Sequence, residues 1–414
     1  MNYFQYVLLG ISFLSIYSAF FYTLFFFIEK DKLNNENKTK KKQRVSIISS
    51  MYNEEKNIEK WITSLLEQDY PLDIYIVDDN STDKTPEICK KYAKQGLITF
   101  IQNKENKGKV PNINFLLKNH VKTELFCVLD GDCFYEKGAV EDMAKHFNDK
   151  KVGSVIPTTK ISGARNLLER VQAVEYYLSS FLRPISSLFG GVYTTNGLTM
   201  FRTKAVREAG YFDESTLTED MDMCMRLYAN GYKIKGDSKP HACTYPERTI
   251  KDYLKQRKRW QTGFVDNFIS HYPTIKKHPG MVYVTFPLAF AWVSIITGLF
   301  ARVVYHSTNS TFRLSRTLRM INYDIMFYLN QMYSNFYVIR LNIVNVTFFT
   351  STVIFFALLV FAISKVENRE KLKTVLNVPI YILTYSILLT LTWLATYGYI
   401  LKNKGRRVGW THQT

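Results

Sequence analysis

Between residues 45 and 129, short apolar runs rich in β-branched side chains alternate with longer amphipathic stretches. The runs comprise residues 45–50, 74–77, 98–102 and 125–129, and each has the length of one strand. The stretches between them are predicted to be helices, of which residues 51–68 form the first. Because strands that alternate with helices build βαβ units, the sequence predicts an α/β fold with a mostly parallel sheet.

The last of these runs ends directly in two carboxylates, because it continues as Asp130, Gly131 and Asp132. Residues at i and i+2 of an extended chain project to the same side, so both carboxylates can reach one cation. Gly131 allows the backbone to turn and a ligand to approach. Oxygen donors of this kind suit Mg²⁺ or Mn²⁺ shared with substrate phosphates, although short acidic pairs are also common in surface turns. The prediction is a metal-bridged diphosphate.

Further polar residues follow the ends of the neighbouring predicted strands. They are Tyr52 and Glu54 after the first strand, and Asp78 and Asp79 after the second. Ligands of parallel sheets bind outside the carboxyl ends of the strands, so these residues are predicted to share a pocket with Asp130 and the loop residue Lys109. The alternative for Asp78 and Asp79 is a polar turn, because DDNSTD is favourable turn chemistry by itself.

Four long apolar stretches frame this region. Residues 1–28 lack charged side chains, and the other three stretches occupy about residues 281–305, 341–363 and 375–401. Each is close to the roughly 20 residues that cross a bilayer core. They are predicted to be transmembrane helices on either side of a domain at residues 45–270, with a C-terminal membrane region at 271–414. Residues 320–340 are predicted to be an interfacial helix or a poor span.

The formal charge of +18 is concentrated beside the apolar stretches, in a basic linker at residues 29–44 and at residues 402–407. Basic flanks are typical of the cytoplasmic side of a span. The domain is therefore expected at the cytoplasmic face of the plasma membrane, and nucleic-acid binding is disfavoured. Three later crossings would leave the basic tail outside, so either a further segment crosses or one stretch lies in the interface. The five cysteines include no C-x-x-C pair, which indicates buried thiols in a reducing compartment.

Two more motifs lie beyond the D-G-D sequence. Glu219 and Asp220 follow Thr218 and open a predicted helix, where acids could act chemically or merely complement the positive end of the helix. The second motif, QRKRW at residues 256–260, lies on the next predicted helix.

Three residues of the QRKRW motif are expected on one helix face. Gln256, Arg259 and Trp260 stand at i, i+3 and i+4, with Arg257 and Lys258 expected to point elsewhere. Arg259 can offset charge on a departing diphosphate, and Trp260 can stack against a sugar. The alternative is a basic and aromatic cluster at a membrane interface.

In their order and separations, these motifs resemble those of the membrane-embedded family 2 glycosyltransferases. The motifs are Asp78 and Asp79 with Ser81 and Asp83, then D-G-D at residues 130–132, T-E-D at 218–220 and QRKRW at 256–260. The group includes synthases of cellulose, chitin, hyaluronan and poly-β-1,6-N-acetylglucosamine, and the short chain and the YNEE sequence resemble the last most. One departure is Val110-Pro111-Asn112 after Gly108-Lys109, where relatives often carry a small residue and Ala before Leu-Asn.

The resemblance implies a GT-A-type, Rossmann-like nucleotide-sugar transferase domain inserted between transmembrane helices. It implies that Asp220 is the catalytic base, assisted by Arg259, and that Asp130 and Asp132 bind Mg²⁺ or Mn²⁺. Nucleotide contacts are expected from Tyr52, Glu54, Asp78, Asp79, Lys109 and Asp130. Acceptor contacts are expected from Asn196, Gly197, Glu219, Gln256 and Trp260.

The function expected on this basis is inverting transfer from a UDP-sugar, with UDP-GlcNAc favoured, to elongate a cell-surface polysaccharide and help move it across the membrane. The alternative is transfer of one sugar to a membrane lipid, and a more distant one is a non-catalytic membrane partner subunit. Expected partners are the UDP-sugar donor, a growing glycan or lipid acceptor, membrane lipids and a small membrane partner subunit, with no nucleic acid.

Overall fold

The computed structural model of the 414-residue chain describes residues 3–28, 42–287, 326, 343–365 and 377–402. Most of the apolar stretch at 281–305, all of 320–340 except Met326, most of the basic linker and the basic tail lie outside the described residues. The fold is therefore given for the central polar region and for three of the long apolar segments.

An eight-stranded sheet forms the centre, in the order β3-β2-β1-β4-β7-β6-β8-β5. The first four strands are β1 (Val45–Met51), β2 (Leu72–Asp78), β3 (Thr99–Gln102) and β4 (Leu125–Val128). They pair in parallel, and the helices between them are α2 (Ile58–Leu66), α3 (Thr85–Lys94) and α4 (Lys109–Asn119). The predicted α/β fold with a parallel sheet is confirmed for this half.

The second half of the sheet is mixed. It contains β5 (Cys133–Tyr135), β6 (Val152–Ile161), β7 (Met200–Arg202) and β8 (Lys233–Thr244). Strand β7 pairs antiparallel with both β4 and β6, β5 pairs antiparallel with β8, and β6 pairs in parallel with β8. The helices of this half are α5 (Ala139–Lys145), α6 (Leu167–Leu188), α7 (Thr203–Glu208), α8 (Glu219–Ala229), α9 (Ile250–Ser270) and α10 (Tyr272–Ile275). A one-turn 3₁₀ helix at His146–Asn148 and a π-helical turn at Met281–Thr285 complete it.

Helix α2 begins at Ile58, seven residues after the start that the sequence predicted at residue 51. Asn53 adopts a left-handed conformation with φ of 57°. Its N–H donates to Ser81 Oγ (2.9 Å), and its Oδ1 accepts from the Thr82 N–H (2.9 Å). These contacts favour a turn that ties the end of β1 to the loop after β2, and they place both strand ends at one edge of the sheet.

Apolar side chains cover both faces of the sheet. Ile47 and Trp61 belong to the core on one face, and Ile48 and Leu116 belong to the core on the other. All four are almost fully buried. A parallel sheet that is covered on both faces needs near-continuous apolar strands, which explains the apolar runs in the sequence.

Three long helices form a third layer against α6. They are α1 (Tyr3–Ile28), α11 (Ile343–Lys365) and α12 (Val378–Lys402). Tyr22, Phe181 and Leu359 pack in their shared core. In the part of the chain with described coordinates, none of the helices combines the length and apolarity that a membrane crossing requires. The assignment of these segments as membrane spans remains a prediction.

Candidate active site

One cavity, with a volume of about 1100 Å³, lies beside the carboxylates that follow β4. Residues from the D-G-D, T-E-D and QRKRW motifs meet in its wall. They include Asp130, Asp132, Glu219, Asp220, Gln256, Arg259 and Trp260, and the predicted site residues Lys109, Asn196 and Gly197 line the same wall. The remaining described residues predicted for the site, which are Tyr52, Glu54, Asp78 and Asp79, lie outside this wall.

The backbone of Asp130 is fixed from two sides. Its N–H donates to the Gly197 carbonyl (2.9 Å), and its own carbonyl accepts from Trp61 Nε1 (3.0 Å). Gly197 approaches the Asp130 carboxylate so closely that a Cβ at this position would lie 1.9 Å from Oδ2. The predicted acceptor residue Gly197 therefore positions Asp130, and only glycine fits there.

Lys109 joins the two acidic motifs. Its ammonium lies 2.7 Å from Asp130 Oδ1 and 3.0 Å from Glu219 Oε1. Although burial alone would lower the pKa of Lys109, these two carboxylates raise it and keep the side chain charged. Conversely, the Lys109 charge holds the pKa of the buried Glu219 below its ordinary value. The D-G-D and T-E-D motifs are thus held together by one half-buried cation.

The carboxylates near Asp132 carry an excess of negative charge. Burial, followed by the charge of Asp130, raises the pKa of Asp132. Burial, with smaller contributions from Asp132 and Asp130, raises the pKa of Glu54 to about 7. A divalent cation would relieve this repulsion, so the charge distribution fits a metal at Asp130 and Asp132.

No preformed metal cage exists within the described ranges, because no three side chains of His, Cys, Asp or Glu converge there. Mg²⁺ and related ions usually bind proteins through one or two carboxylates and complete their shell with water and substrate phosphates. The Asp130 and Asp132 pair satisfies this mode of binding.

Asp220 lies in the first turn of α8 and faces the cavity. Its Oδ1 accepts from the Met221 N–H (2.8 Å), and its Oδ2 accepts from Thr194 Oγ1 (3.2 Å). Burial, and then the neighbouring Glu219 charge, raise the pKa of Asp220 to about 6. A carboxylate with this pKa is ionised at neutral pH and still accepts a proton readily.

Helix α9 is locked onto the T-E-D segment at two positions. A Cβ on Gly263 would lie 2.3 Å from Thr218 Oγ1, so glycine is required for the close approach. Asn267 Nδ2 donates to the same Thr218 Oγ1 (2.8 Å). This docking also positions Arg259, and its Nη1 donates to the Leu217 carbonyl (3.4 Å). The Arg259 charge partly offsets the burial and the Glu219 charge that raise the pKa of Asp220.

The structure corrects the expectation for Arg257. This side chain is buried, its Nη1 donates to Glu175 Oε1 (2.8 Å), and its guanidinium lies 4.2 Å from the centroid of the Trp260 ring. Arg257 and Glu175 both line the cavity. Arg257 therefore orients Trp260. The pattern that starts at Gln256 left Arg257 out, although Arg257 and Trp260 stand at i and i+3 and are neighbours on the helix surface.

Asp79 forms a closed network with the loop before α4. Its carboxylate accepts from the Lys107 N–H (2.8 Å), the Gly108 N–H (2.8 Å) and Asn103 Nδ2 (3.0 Å). Burial alone would raise the pKa of Asp79, but hydrogen bonds, led by that from Lys107, hold it below its ordinary value. Asp79 thus anchors the loop that presents Lys109.

Unlike Asp79, Asp78 and Tyr52 are placed so that they could still contact a ligand. Asp78 accepts from the Ser81 N–H through Oδ2 (3.2 Å), whereas its buried Oδ1 has no hydrogen-bond partner among the described residues. The Tyr52 side chain is 50% exposed. Both residues lie at strand ends, where the predicted nucleotide contacts would be made.

Helix α6 adds a polar stripe that sequence reasoning missed. Tyr176, Ser179, Arg183 and Ser186 recur at helical spacing and line the cavity. Arg183 Nη2 donates to Ser179 Oγ (3.0 Å), and burial lowers the pKa of Arg183. The capping box formed by Asn166 and Glu169 was the available signal for the start of this helix, but no local pattern indicates which face it turns to the cavity.

This wall of carboxylates, arginine and tryptophan is suited to an enzyme that acts on an activated sugar. Residues 46–210 match the profile of glycosyl transferase family 2. The chain therefore contains a glycosyltransferase domain of this family, and the predicted enzyme class is confirmed.

Two relatives with named activities are also similar to this chain. The poly-beta-1,6-N-acetyl-D-glucosamine synthase of Staphylococcus epidermidis is 28% identical over 316 residues, which cover 74% of this chain and 76% of the relative. The enzyme of the same name from Staphylococcus aureus strain COL is 28% identical over 271 residues, or 64% and 66% of the two chains.

A solved structure shares the fold. It is a mannosyltransferase from Pyrobaculum calidifontis in complex with GDP-Man and Mn²⁺. The TM-score is 0.50 at 19% identity, and the match covers 75% of this chain and 94% of that one. This likeness concerns the fold alone, and it agrees with the predicted GT-A-like, Rossmann-type architecture.

Proposed function

We propose that the chain is an inverting, metal-dependent glycosyltransferase that uses a UDP-sugar to elongate a polysaccharide. One observation carries this proposal: the Lys109 ammonium bridges Asp130 Oδ1 (2.7 Å) and Glu219 Oε1 (3.0 Å). This bridge brings the acids suited to bind a metal diphosphate and the acids suited to activate an acceptor to one cavity.

Asp220 is the proposed base. The acceptor hydroxyl gives its proton to the Asp220 carboxylate while its oxygen attacks the anomeric carbon of the donor, and the bond from that carbon to the UDP oxygen breaks. Attack from the face opposite UDP inverts the configuration without a protein nucleophile. The raised pKa of Asp220, about 6, suits a group that must be ionised before the step and protonated after it.

Asp130 and Asp132 would hold a Mg²⁺ or Mn²⁺ ion, which when bound offsets the charge of the diphosphate. Arg259 supplies a second positive charge from the other side of the cavity, where it acts on charge that develops as UDP leaves. Trp260, held by Arg257, offers an aromatic face to the acceptor sugar. Asn196 contributes to the same part of the wall.

For the donor we favour UDP-GlcNAc, because the two named relatives are poly-beta-1,6-N-acetyl-D-glucosamine synthases. Asp78, with a buried oxygen free of partners within the described ranges, and the half-exposed Tyr52 are the proposed contacts for the nucleoside. Asp79 contributes by holding the Lys109 loop.

Elongation is favoured over single transfer by the extent of the cavity. It continues from Asp220 along the polar stripe of α6 to Tyr22 of α1 and Trp393 of α12. A cavity of about 1100 Å³ can hold several sugar units, and we propose that the helix layer helps to guide the product across the membrane.

Transfer of one sugar to a lipid is the second candidate. Phe264, Phe268 and Phe286 line the same cavity, and an apolar wall also suits an acyl or prenyl chain. The size of the product distinguishes the two functions, since a polymer supports the first and a single glycolipid supports the second.

We further propose that the helix layer lies in the plasma membrane with the catalytic domain on the cytoplasmic side. Large apolar side chains on its outer surface are exposed, including Phe20 (66%), Phe349 (70%) and Leu394 (62%). Contact with lipid, or with a small membrane partner subunit, would cover them. Extraction of the chain from membranes by alkaline carbonate would contradict this placement.

The deciding experiment is an assay with isolated membranes and a panel of radiolabelled UDP-sugars. Incorporation from UDP-GlcNAc into polymer is expected with Mn²⁺ or Mg²⁺ and not with EDTA, and gel sizing separates polymer from glycolipid. Membranes that contain the Asp132→Asn variant serve as the matched control. Equal incorporation with EDTA would reject the proposed metal dependence.

A further inference from the structure

The Asp130 carboxylate already has one cationic partner in this structure. Its Oδ1 lies 2.7 Å from the Lys109 ammonium. Its Oδ2 lies against Gly197, where an added Cβ would come within 1.9 Å. A metal ion that reaches Asp130 from the cavity must therefore compete with Lys109 for the same carboxylate.

The position of Lys109 is built into the fold. Asp79 accepts hydrogen bonds from the backbone N–H groups of Lys107 and Gly108, both at 2.8 Å. Helix α4 begins at the next residue, Lys109 itself. The Lys109 side chain is thus delivered to the carboxylates from an anchored loop, and its second partner, Glu219, holds it from the opposite side.

Pro111 and Asn112, the departure from the family pattern, strengthen the same loop. Pro111 occupies the first turn of α4, where the missing N–H costs nothing. Asn112 Oδ1 accepts from Asn103 Nδ2 (2.8 Å), and Asn112 Nδ2 donates to Ser50 Oγ (2.9 Å). These contacts fix the start of α4 to β1 and limit how far Lys109 can move.

We propose that Lys109 is an internal competitor of the divalent metal, which occupies Asp130 until a metal-nucleotide complex displaces it. The inference rests on the proposed metal-dependent use of a UDP-sugar. Lys109 opposes binding of the metal alone, whereas a diphosphate provides the ammonium with a new partner. Metal and nucleotide are therefore expected to bind as a complex, with weak binding of either one alone.

The test is Mn²⁺ binding to the purified full-length chain, measured by electron paramagnetic resonance with and without UDP. Without UDP, Lys109→Met is expected to bind Mn²⁺ about tenfold more tightly than the wild type, because a positive charge 2.7 Å from the Asp130 carboxylate is removed. With UDP, the same variant should bind Mn²⁺ no more tightly than the wild type. Lys104→Met, an exposed change in the same loop, is the matched control and should behave as the wild type.

Equal Mn²⁺ affinity of the wild type and Lys109→Met without UDP would overturn the inference. Lys109→Gln retains a hydrogen-bond donor without charge, so it tests the same point if the Met variant fails to fold. Failure of the proposed function looks different, because the wild type would then bind no Mn²⁺ even with UDP.

Discussion

Asp79, which follows strand β2, and Asp220, in the first turn of helix α8, are both acids near the carboxyl edge of the sheet, yet the structure gives them opposite environments. Asp79 accepts three hydrogen bonds, two of them from backbone N–H groups, and its pKa is lowered although burial acts to raise it. Asp220 accepts one backbone and one hydroxyl hydrogen bond, and burial raises its pKa to about 6. The number of backbone donors thus separates an acid that holds structure from one that can exchange a proton.

The same difference separates two regions, the loop held by Asp79 and the cavity wall around Asp220. On the Asp79 side, which lies outside the cavity wall, backbone N–H groups and an amide hold a single carboxylate. On the Asp220 side, Glu219, Lys109 and Arg259 place full charges in a buried space. Full charges at low dielectric are costly to maintain unless they serve chemistry or binding. This contrast predicts that changes on the two sides will affect different measurements.

Asp220→Asn is the change with the largest expected effect. The amide cannot accept the hydroxyl proton, so turnover should fall by about 10³-fold or more. Affinity for UDP with metal should remain, since Asp130 and Asp132 are untouched. The measurement is turnover at saturating donor together with UDP binding by calorimetry.

Asp213→Asn, which changes an acid bonded to Ser215 outside the cavity wall, is the matched control for Asp220→Asn. It should turn over at the wild-type rate. Normal turnover of Asp220→Asn would remove the base assignment and with it the distinction between the two acids.

Arg259→Ala should lower turnover by about 10²-fold, because one charge that acts on the leaving diphosphate is lost. The donor KM should change much less than kcat. Lys255→Ala, an exposed change on the same helix, should leave both values unchanged. A rise in KM without loss of kcat would assign Arg259 to donor binding.

The sequence predicted the charged residues of the cavity better than the residues that hold them in position. Asp130, Glu219, Asp220 and Arg259 belong to short motifs whose residue types indicate their chemistry. The structure places all four in one cavity wall. Gly263 and Asn267, which dock α9 onto Thr218, follow from contacts between distant segments that no local pattern encodes.

Strands β6 and β8 of the second half of the sheet were missed for a related reason. In β6, Pro157 lies within the register shift between Ile156 and Thr158 in the pairing with β8, and a proline inside a run argues against a central strand. Strand β8 begins 72 residues after the end of β6 (233 − 161). Their pairing therefore depends on tertiary contacts and not on strand propensity.

The pH dependence of turnover tests the raised pKa of Asp220 directly. The base must be ionised, and burial with the Glu219 charge raises its pKa to about 6. As pH falls through about 6, the ionised fraction and kcat should drop, approaching about tenfold per pH unit below it. Turnover is measured at saturating donor so that binding does not contribute. A rate that stays constant down to about pH 4.5, near the ordinary range of aspartate, would show that the proton acceptor is not an Asp220 carboxylate with a raised pKa.

Asp79→Ala should have the smallest effect on chemistry and a clear effect on stability. Loss of the carboxylate leaves the Lys107 and Gly108 N–H groups without their acceptor, which costs about 1–3 kcal/mol in free energy of unfolding. Asp73→Ala removes only the surface ion pair with Arg44 and should cost about 1 kcal/mol or less. Both are measured by chemical denaturation.

At saturating donor, Asp79→Ala should keep kcat within about threefold of the wild type, since Asp79 does not exchange the reacting proton. The donor KM should rise, because the loop that presents Lys109 is loosened. The contrary result would be an Asp79→Ala variant that is as stable as Asp73→Ala but loses as much turnover as Asp220→Asn. The number of backbone hydrogen bonds would then not separate an acid that holds structure from one that exchanges a proton. Asp79 would then belong with the charged groups that act on the substrate.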